Sequence, residues 1–419
     1  MGAPAEIAAA SRRASRVETD SLGRVEVPVD ALYGARTARA VDNLSFSGRI
    51  LGDCTVYLAA LGSVKRAAAR ANREADVLQP EVAAAIEVAA SRIADTDMRP
   101  HFPVDLLGGG GSIGIHINVN EVVANLANEA RGGRRGEYAP VRPADVGASQ
   151  STADVCHTAL RVAILCEWPR LRTTLDALES AISRKAAELA GVETMARTCL
   201  RDAMPVSLDV LFGGYAALLT RRTQELQGCI DKLYAVSLGG TVIGTSEGAP
   251  VLYRDRVVPV LAEIVGLALV SRECRSDALQ NSDDVAAISS QLRLLAEALM
   301  KVGADLRLLS SGPRGGFGEL ELPVVQEGSS FFAGKSNPVV PETVIQCAFQ
   351  VLGCDRAVQA ANEHAELYLN VFDGLAAVNV LDSLRMLTQA VALLDTRCLR
   401  ELRANVERCA ELSQLTGRK

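Results

Sequence analysis

The sequence predicts a mainly α protein whose centre is a bundle of long helices. Between Val285 and Leu309, apolar residues recur at steps of three and four, which is the pattern of one long amphipathic helix. Strand patterns are few and lie mostly in the first 50 residues. Hydrophobic residues make up 48% of the 419 residues and charged residues 22%, which is a globular composition. Helices with such wide apolar stripes bury them best against one another.

The other elements follow in chain order. Alternating valines at residues 25–29 indicate a strand, and a helix is expected at Glu121–Glu129, just after a glycine-rich turn. The helical pattern returns at Leu171–Ile182, after Pro169, which we expect to bend or break the preceding helix. Pro341 is typical of the first turn of a further helix.

Three stretches rich in turn-forming residues interrupt the helical pattern. They are Gly108–Asn120, Ala148–Asp154 and Ser310–Pro338. Long irregular stretches inside a helical protein are often functional. We therefore expect candidate site residues in these three stretches.

Charge and composition argue against several classes of partner. Lys and Arg number 44 against 50 Asp and Glu, a net charge of −6, which disfavours nucleic acid as the main partner. No apolar run reaches the roughly 18–20 residues that span a membrane, and the first 16 residues lack the apolar core of a secretory signal. The 10 cysteines are scattered, as expected of reduced thiols in a cytoplasmic protein. The histidines and cysteines do not cluster at zinc-ligand spacing.

The first irregular stretch contains Gly109, Gly111 and Gly114, which satisfy the pattern G-x-G-x-x-G. A dinucleotide site would also need a preceding strand and an acidic residue about 20 residues later, and neither is evident. The glycines are therefore interpreted either as a tight turn or as a backbone wall whose amides face a small anion.

The second stretch carries three hydroxyl side chains, Ser149, Ser151 and Thr152, just before a helix. Helix capping uses these residue types, and the local pattern alone favours that interpretation. The alternative is that hydroxyls and free amides at the helix start bind a carboxylate.

The third stretch contains the most informative segment, Gly328–Pro338, which joins two serines, a lysine and an asparagine in a glycine-flanked loop. A serine can act as a base only where donors stabilise its alkoxide, and a loop dense in backbone amides can supply them. Lys335 could pair with a substrate carboxylate. The alternative is a solvated surface loop, although such loops rarely carry adjacent phenylalanines such as Phe331 and Phe332.

Five ordered motifs over residues 15–410 resemble the fumarase/aspartase superfamily, most closely its aspartate ammonia-lyase branch. The matching segments are Asp20–Gly23 with Val27–Gly34, Asn118–Asn125, Ser149–Thr152, Leu306–Arg314 and Gly328–Pro338. The resemblance implies a C–N lyase that eliminates a leaving group from an aspartate-like, succinyl substrate to give fumarate. The expected partner is a small dicarboxylate, and no metal or organic cofactor is implied.

The resemblance also implies roles for individual residues. Ser329 would be the base that removes the Cβ proton, giving a dianionic aci-carboxylate that preorganised donors stabilise. The donors around the β-carboxylate would be Ser151, Thr152 and Ser330. The residues on the α-carboxylate would be Thr198, Lys335 and Asn337.

Three positions depart from the family pattern, and in the family all three lie around the Cα amino or hydroxyl group. A family threonine aligns with Ile113, a family asparagine with Ala153, and a family histidine or glutamine with Cys199. All three have lost strong hydrogen-bonding capacity, so we hypothesise that the leaving group is a substituted amine or another nitrogen group. His116 and His157 also depart from the pattern and are candidates for replacement polar contacts. The alternative is that these two histidines only pack or lie exposed.

The family usually continues into a small C-terminal helical domain, and we expect that domain to be truncated because the chain stops at Lys419. The expected division is a mostly helical N-terminal domain at 1–145, a central bundle at 146–395 and a C-terminal remnant at 396–419. The resemblance also implies a homotetramer with active sites shared between subunits, and long apolar stripes fit such an assembly.

Three functions remain open on the sequence alone. The first is a C–N lyase with an altered leaving group. The second is an ordinary aspartate ammonia-lyase or fumarate hydratase, and the third is a non-catalytic structural relative. The intact Ser329, Lys335 and Asn337 argue against the third.

Overall fold

Helices account for most of the computed structural model, which describes residues 14–414. The helices are α1 Ala35–Leu44, α2 Thr55–Glu74, α3 Pro80–Ser91, α4 Ile113–Glu129, α5 Pro143–Val146, α6 Thr152–Glu188, α7 Leu208–Ile230, α8 Val251–Val265, α9 Arg275–Gln280, α10 Asp283–Leu309, α11 Val339–Glu363, α12 Asp373–Leu394 and α13 Val406–Ser413. The prediction of a mainly α protein is confirmed.

The strands are short and form four two-stranded pairs. They are β1 Ser15–Asp20, β2 Gly23–Pro28, β3 Glu193–Thr198, β4 Arg201–Ser207, β5 Ala235–Val236, β6 Val270–Ser271, β7 Leu320–Glu321 and β8 Arg403–Ala404. The β5–β6 pair is parallel and the other three are antiparallel. The predicted strand at residues 25–29 is β2, which ends at Pro28, one residue before Val29.

The described chain divides into two compact units, each assembled from three sequence segments. The first unit comprises residues 14–163, 233–282 and 361–378, and the second comprises 164–232, 283–360 and 379–414. The predicted division into three domains at residues 145 and 395 stays a prediction. Residues 1–13 and 415–419 lie outside the described part of the chain. The absence of a secretory signal and the ends of the first and third predicted domains therefore stay predictions too.

In the first unit, α2 is packed closely by α3 and α8. Gly62 marks the closest approach, because a Cβ there would lie 2.5 Å from the carbonyl oxygen of Ala90 on α3. The buried face of α2 is formed mostly by leucine, valine and alanine, and Lys65, which is fully buried, is the one charged residue on it. This helix therefore carries a lysine into the interior of the unit.

In the second unit, α10 packs against α7 along the stripe that the sequence predicts. Seven of the eight stripe positions are buried and the eighth, Leu309, is half-buried; the stripe consists of Val285, Ile288, Leu292, Leu295, Leu299, Val302, Leu306 and Leu309. The amphipathic pattern is therefore confirmed as the core-facing side of a 27-residue helix.

The expected break at Pro169 is wrong, because α6 runs unbroken through that residue for 37 residues. A proline removes one backbone donor, but Ile164 and Leu171, seven residues apart and therefore on the same face of the helix, are both fully buried. Burial of that face outweighs the loss of one hydrogen bond.

The helix expected at Glu121–Glu129 begins earlier, at Ile113, so most of the first irregular stretch is helical. Gly110, Gly111 and Ser112 have φ values of 85°, 61° and 68°. Since a helix cannot pass through left-handed residues, this turn sets the start of α4. The helix predicted around Pro341 is confirmed as α11, with the proline in its first turn.

One segment among residues 14–414, Asp373–Leu399, is long and apolar enough to cross a membrane by length and composition. Its 18-residue window has a mean hydropathy of 1.2, and 67% of that window is buried inside the protein. The same length and burial are found in core helices.

Replacing Leu292 of α10 with alanine should lower the free energy of unfolding by about 2–5 kcal/mol, because the side chain is fully buried. Leu308→Ala on the same helix is the matched control, since Leu308 is 39% exposed and should cost less than about 1 kcal/mol. Urea titration of the two variants gives the comparison. Equal losses would show that the α10 stripe does not face the core.

Candidate functional site

The start of α6 is held by a reciprocal capping arrangement. The Ala153 amide donates to Ser151 Oγ at 3.2 Å, and the Ser151 amide donates to Asp154 Oδ1 at 2.9 Å. The other carboxylate oxygen of Asp154 accepts the amides of Gly239 and Thr241 at 3.0 and 3.1 Å. Burial raises the pKa of Asp154 to about 6, although these amides oppose the shift. The capping interpretation of the hydroxyl cluster is thus confirmed for Ser151.

Thr152, the first residue of α6, contacts one of the two candidate histidines. His116 Nδ1 lies 2.9 Å from Thr152 Oγ1, and His116 Nε2 lies 2.7 Å from Lys65 Nζ. Lys65 Nζ also donates to Gln150 Oε1 at 2.8 Å. These four side chains form a continuous hydrogen-bonded series that reaches Thr152 from the interior of the first unit.

The pKa values of Lys65 and His116, at the interior end of this series, are both shifted by burial. Burial lowers the pKa of Lys65 to about 7, while Cys156 and Asp154 partly oppose the shift. Burial lowers the pKa of His116 well below its usual value, and the positive charges of Lys65 and Arg36 lower it further. His116 is therefore a neutral imidazole near neutral pH, and Lys65 titrates there.

An open pocket lies beside Thr152, and its empty volume of about 320 Å³ includes space that is open to solvent. Its lining comprises Gly111, Ser112, Thr152, Ala153, Cys156, His157, Leu160, Leu279, Leu369, Asn370, Val371, Asp373 and Gly374. His157 is buried, and its Nδ1 lies 2.9 Å from Ser237 Oγ. Within residues 14–414, no group of three or more His, Cys, Asp or Glu side chains is arranged to hold a metal ion.

A buried ion pair supports one wall of this pocket. Arg161 Nη1 donates to Asp373 Oδ2 at 2.7 Å, and Ser282 Oγ donates to Asp373 Oδ1 at 2.7 Å. Burial acts to raise the pKa of Asp373, but the nearby charges of Arg161 and His157 hold it below its usual value. Because both carboxylate oxygens already accept hydrogen bonds, Asp373 serves as a fixed structural anion.

Ile113 occupies the first position of α4 and is 41% exposed. The left-handed residues immediately before it, Gly110 to Ser112, confirm the tight-turn interpretation for Gly111, whereas Gly114 lies within α4. Gly111 also lines the pocket, where a Cβ would lie 3.7 Å from Val371. Whether the amides of this turn face an anion stays a prediction.

In the second unit, Thr198 ends β3 and Cys199 follows it in the turn that leads to β4, both exposed. Cys199 and Leu200 have φ values of 51° and 57°, which fit a two-residue hairpin turn. The buried carboxylate of Glu319 anchors the hairpin, since it accepts a hydrogen bond from Arg197 Nη1 at 2.8 Å.

The loop around Ser329 is folded around its own backbone. Ser329 Oγ accepts the amides of Phe331 and Phe332 at 3.1 and 2.9 Å. Asn337 Nδ2 donates to the carbonyl oxygen of Gly328 at 2.7 Å, and the Gly328 amide donates to the Lys335 carbonyl at 2.9 Å. A Cβ at Gly328 would lie 2.5 Å from that same carbonyl oxygen, so the closure of the loop requires glycine.

The tip of this loop, residues 330–336, is exposed in the described chain, which includes Ser330 and Lys335. Phe331 is 84% exposed and Phe332 is 60% exposed, and their rings pack edge to face at 4.8 Å. The exposure agrees with the surface-loop alternative, and exposed aromatic rings of this size are typical of surfaces that associate.

The predicted residues fall into three groups. One group in the first unit comprises Ser151, Thr152, Ala153, His116 and His157. A second group in the second unit comprises Ser329, Ser330, Lys335 and Asn337, and the β3–β4 hairpin carries Thr198 and Cys199.

Sequence reasoning missed Lys65, although a signal for it exists. Lys65 lies four residues after Leu61 and three before Ala68, on the apolar side of a helix, where a lysine is rarely found. Asp373 was missed as well, because its partner Arg161 is 212 residues away in the chain.

The chain matches a family model described as a lyase over residues 23–353. An aspartate ammonia-lyase from Pseudomonas aeruginosa is 42% identical over 403 residues, covering 95% of this chain and 84% of that enzyme. The aspartate ammonia-lyase of Escherichia coli K12 is 37% identical over 396 residues, covering 94% of this chain and 83% of that enzyme.

Solved structures give the same assignment. The cobalt-bound fumarate lyase:delta crystallin from Brucella melitensis superposes with a TM-score of 0.92 at 40% identity, covering 95% of this chain and 87% of that one. A class II fumarase from Schistosoma mansoni superposes with a TM-score of 0.91 at 28% identity, again covering 95% and 87%. The chain therefore belongs to the fumarase/aspartase superfamily, in which it is a C–N lyase of the aspartate ammonia-lyase-like branch.

Proposed function

We propose that the chain catalyses an anti-elimination from an aspartate-like, succinyl substrate, which yields fumarate and an amine or other nitrogen leaving group larger than ammonia. Ser329, as its alkoxide, takes the proton from Cβ, and the electron pair of the Cβ–H bond delocalises into the β-carboxylate to give an aci-carboxylate dianion. This electron pair then forms the Cα=Cβ bond of fumarate, and the Cα–N bond breaks with its electron pair on nitrogen. The observation that carries this proposal is the pair of backbone amides directed at Ser329 Oγ.

Those amides supply what a serine base needs. A hydroxyl is a weak base unless its deprotonated form is stabilised, and hydrogen bonds to an ionised acceptor are roughly twice as strong as those to a neutral one. The Phe331 and Phe332 amides at 3.1 and 2.9 Å are in place before the substrate binds. Preorganised donors of this kind favour the alkoxide without further rearrangement.

The β-carboxylate, where negative charge develops, is assigned to Ser151, Thr152 and Ser330. Ser151 and Thr152 lie at the start of a 37-residue helix, where the helix dipole favours an anion. The α-carboxylate is assigned to Thr198, Lys335 and Asn337. Of these, Lys335 supplies the positive charge, and Asn337 has one amide proton beyond the one that Gly328 accepts.

The altered leaving group rests on the pocket beside Thr152. Ala153 lines it together with Gly111 and Cys156, and none of these is a strong hydrogen-bonding group for a free amine. Burial raises the pKa of Cys156 to about 12, so the thiol is neutral there. Ile113 and Cys199, as departures from the family sequence, support the same interpretation. His157 lines the pocket as a polar side chain that a nitrogen substituent would contact.

We further propose a cytoplasmic homotetramer with active sites shared between subunits. Large apolar side chains remain exposed in the described chain, among them Phe349 on α11 at 58% and Phe331 at 84%. Exposed apolar groups of this size are typical of surfaces that associate.

Incubating the protein with fumarate and separate nitrogen nucleophiles tests the leaving group. Methylamine, hydroxylamine, hydrazine or nitrite should consume fumarate faster than ammonia does, because Gly111, Ala153 and Cys156 leave space and offer little hydrogen bonding to a free amine. Loss of the ultraviolet absorbance of fumarate is the measurement. Strong turnover of L-aspartate or L-malate would instead identify an ordinary ammonia-lyase or hydratase, and no turnover with any partner would favour a non-catalytic relative.

Ser329→Ala should lower kcat by roughly 10²–10⁴ with the best substrate, because a positioned general base contributes that much. Ser336→Ala is the matched control, since it removes a hydroxyl from the same loop without touching an assigned residue, and its kcat should stay close to that of the parent. If Ser329→Ala remains within about tenfold of the parent, another group is the base.

Ala153→Asn should shift specificity towards L-aspartate. The amide would offer a hydrogen bond to a free amino group, typically worth about 0.5–1.5 kcal/mol, and its bulk would fill the space for a substituent. The ratio of kcat/KM for L-aspartate to that for the best substituted substrate should rise several-fold. Ala187→Asn, an exposed position on α6, is the control, and the same ratio for both variants would remove Ala153 from the leaving-group pocket.

A further inference from the structure

The contacts of Gln150 determine which atoms donate and which accept along the hydrogen-bonded series behind Thr152. Gln150 Nε2 donates to the carbonyl oxygens of Val146 and Ala148, both at 3.0 Å. The amide of Gln150 is therefore held with its oxygen towards Lys65 Nζ, 2.8 Å away. An oxygen accepts only, so Lys65 must be the donor in this contact.

Lys65 also determines which ring nitrogen of His116 carries the proton. An ammonium group has three donors and no acceptor, so its 2.7 Å contact with His116 Nε2 requires that nitrogen to accept. In a neutral imidazole the other nitrogen then carries the proton. His116 Nδ1 consequently donates to Thr152 Oγ1 over 2.9 Å.

The last member of the series is a hydroxyl on the pocket wall. Because Thr152 Oγ1 accepts from His116, its single proton must point elsewhere. With the opposite direction, Thr152 would spend its proton on His116 and present only lone pairs to an anion. A carboxylate accepts hydrogen bonds and donates none, so only the first direction favours it.

We propose that Lys65 and His116 are positioning residues that hold the Thr152 hydroxyl as a hydrogen-bond donor to a substrate carboxylate. This inference rests on the proposed function only for the identity of the carboxylate. The direction of the hydrogen bonds follows from the contacts of Gln150, Lys65, His116 and Thr152 when Lys65 is an ammonium. His116 thus contributes to the site as a positioning residue. It acts through Thr152 and does not contact the leaving group.

The charges around this series determine how it responds to pH. Lys65 faces Asp154 and Cys156 from α6 and His116 from α4, and His116 also feels Arg36 from α1. Since burial brings the pKa of Lys65 to about 7, the ammonium form predominates below that pH and requires the series to run towards Thr152. Above it, the neutral amine can also accept, so the constraint on His116 weakens and carboxylate binding should weaken with it.

Solid-state NMR of protein labelled with 15N at histidine tests the direction without any substrate. The chain has only four histidines, and the signal that disappears in His116→Gln identifies His116. Below pH 7 we expect its proton on Nδ1, and Lys65→Met should give a mixture of both tautomers. A proton on Nε2 in the parent protein, or an unchanged tautomer in Lys65→Met, would overturn the proposal.

Calorimetric titration with fumarate then tests the consequence for binding. His116→Leu should weaken fumarate binding at least about tenfold, because Thr152 loses its fixed donor direction. His116→Gln should stay within about threefold, since glutamine again offers one acceptor and one donor. His364→Gln, at an exposed histidine, is the control and should bind as the parent does.

The two measurements distinguish failure of the positioning role from failure of the proposed function. Parent-like fumarate binding by His116→Leu would refute the positioning role, whatever the tautomer. If the parent protein itself does not bind fumarate, the proposed function fails, and the NMR result still decides the direction of the series.

Discussion

The buried carboxylate of Asp154 is the constraint on which the first unit's site depends. Its two oxygens accept amides from the start of α6 and from the chain after β5. This arrangement fixes where the helix begins, and so where Ser151, Thr152 and Ala153 are presented. Charge-assisted hydrogen bonds from several amides offset the cost of burying the carboxylate.

The interior behind Thr152 is polar to a degree that stability alone does not explain. Burying Lys65 or the Arg161–Asp373 pair costs desolvation free energy, which hydrogen bonds and charge attraction inside the protein only partly offset. Asp373 lines the pocket, and Lys65 is linked to it through His116 and Thr152. This agrees with the general observation that perturbed titratable groups cluster at functional sites. The loop around Ser329 is instead stabilised by hydrogen bonds between residues close in the chain, and its two ends meet at Gly328.

Membership of the superfamily and the departures from its pattern are compatible. The fold is that of the superfamily, and we propose that the changes at Ile113, Ala153 and Cys199 concern the group attached to Cα. A scaffold can therefore retain one half of a reaction and alter the other, because carbanion stabilisation and leaving-group recognition use different side chains.

The sequence by itself determined the long helices, the α10 stripe, the strand at β2, the loop around Ser329 and the family, because these depend on periodicity and motifs that are local in the chain. Only the tertiary structure decided that α6 passes through Pro169, that α4 begins at Ile113, and that Lys65 meets His116 and His116 meets Thr152. Those contacts join residues 51 and 36 positions apart. Such pairs form only when separate helices pack, and no local pattern specifies which side chains then meet.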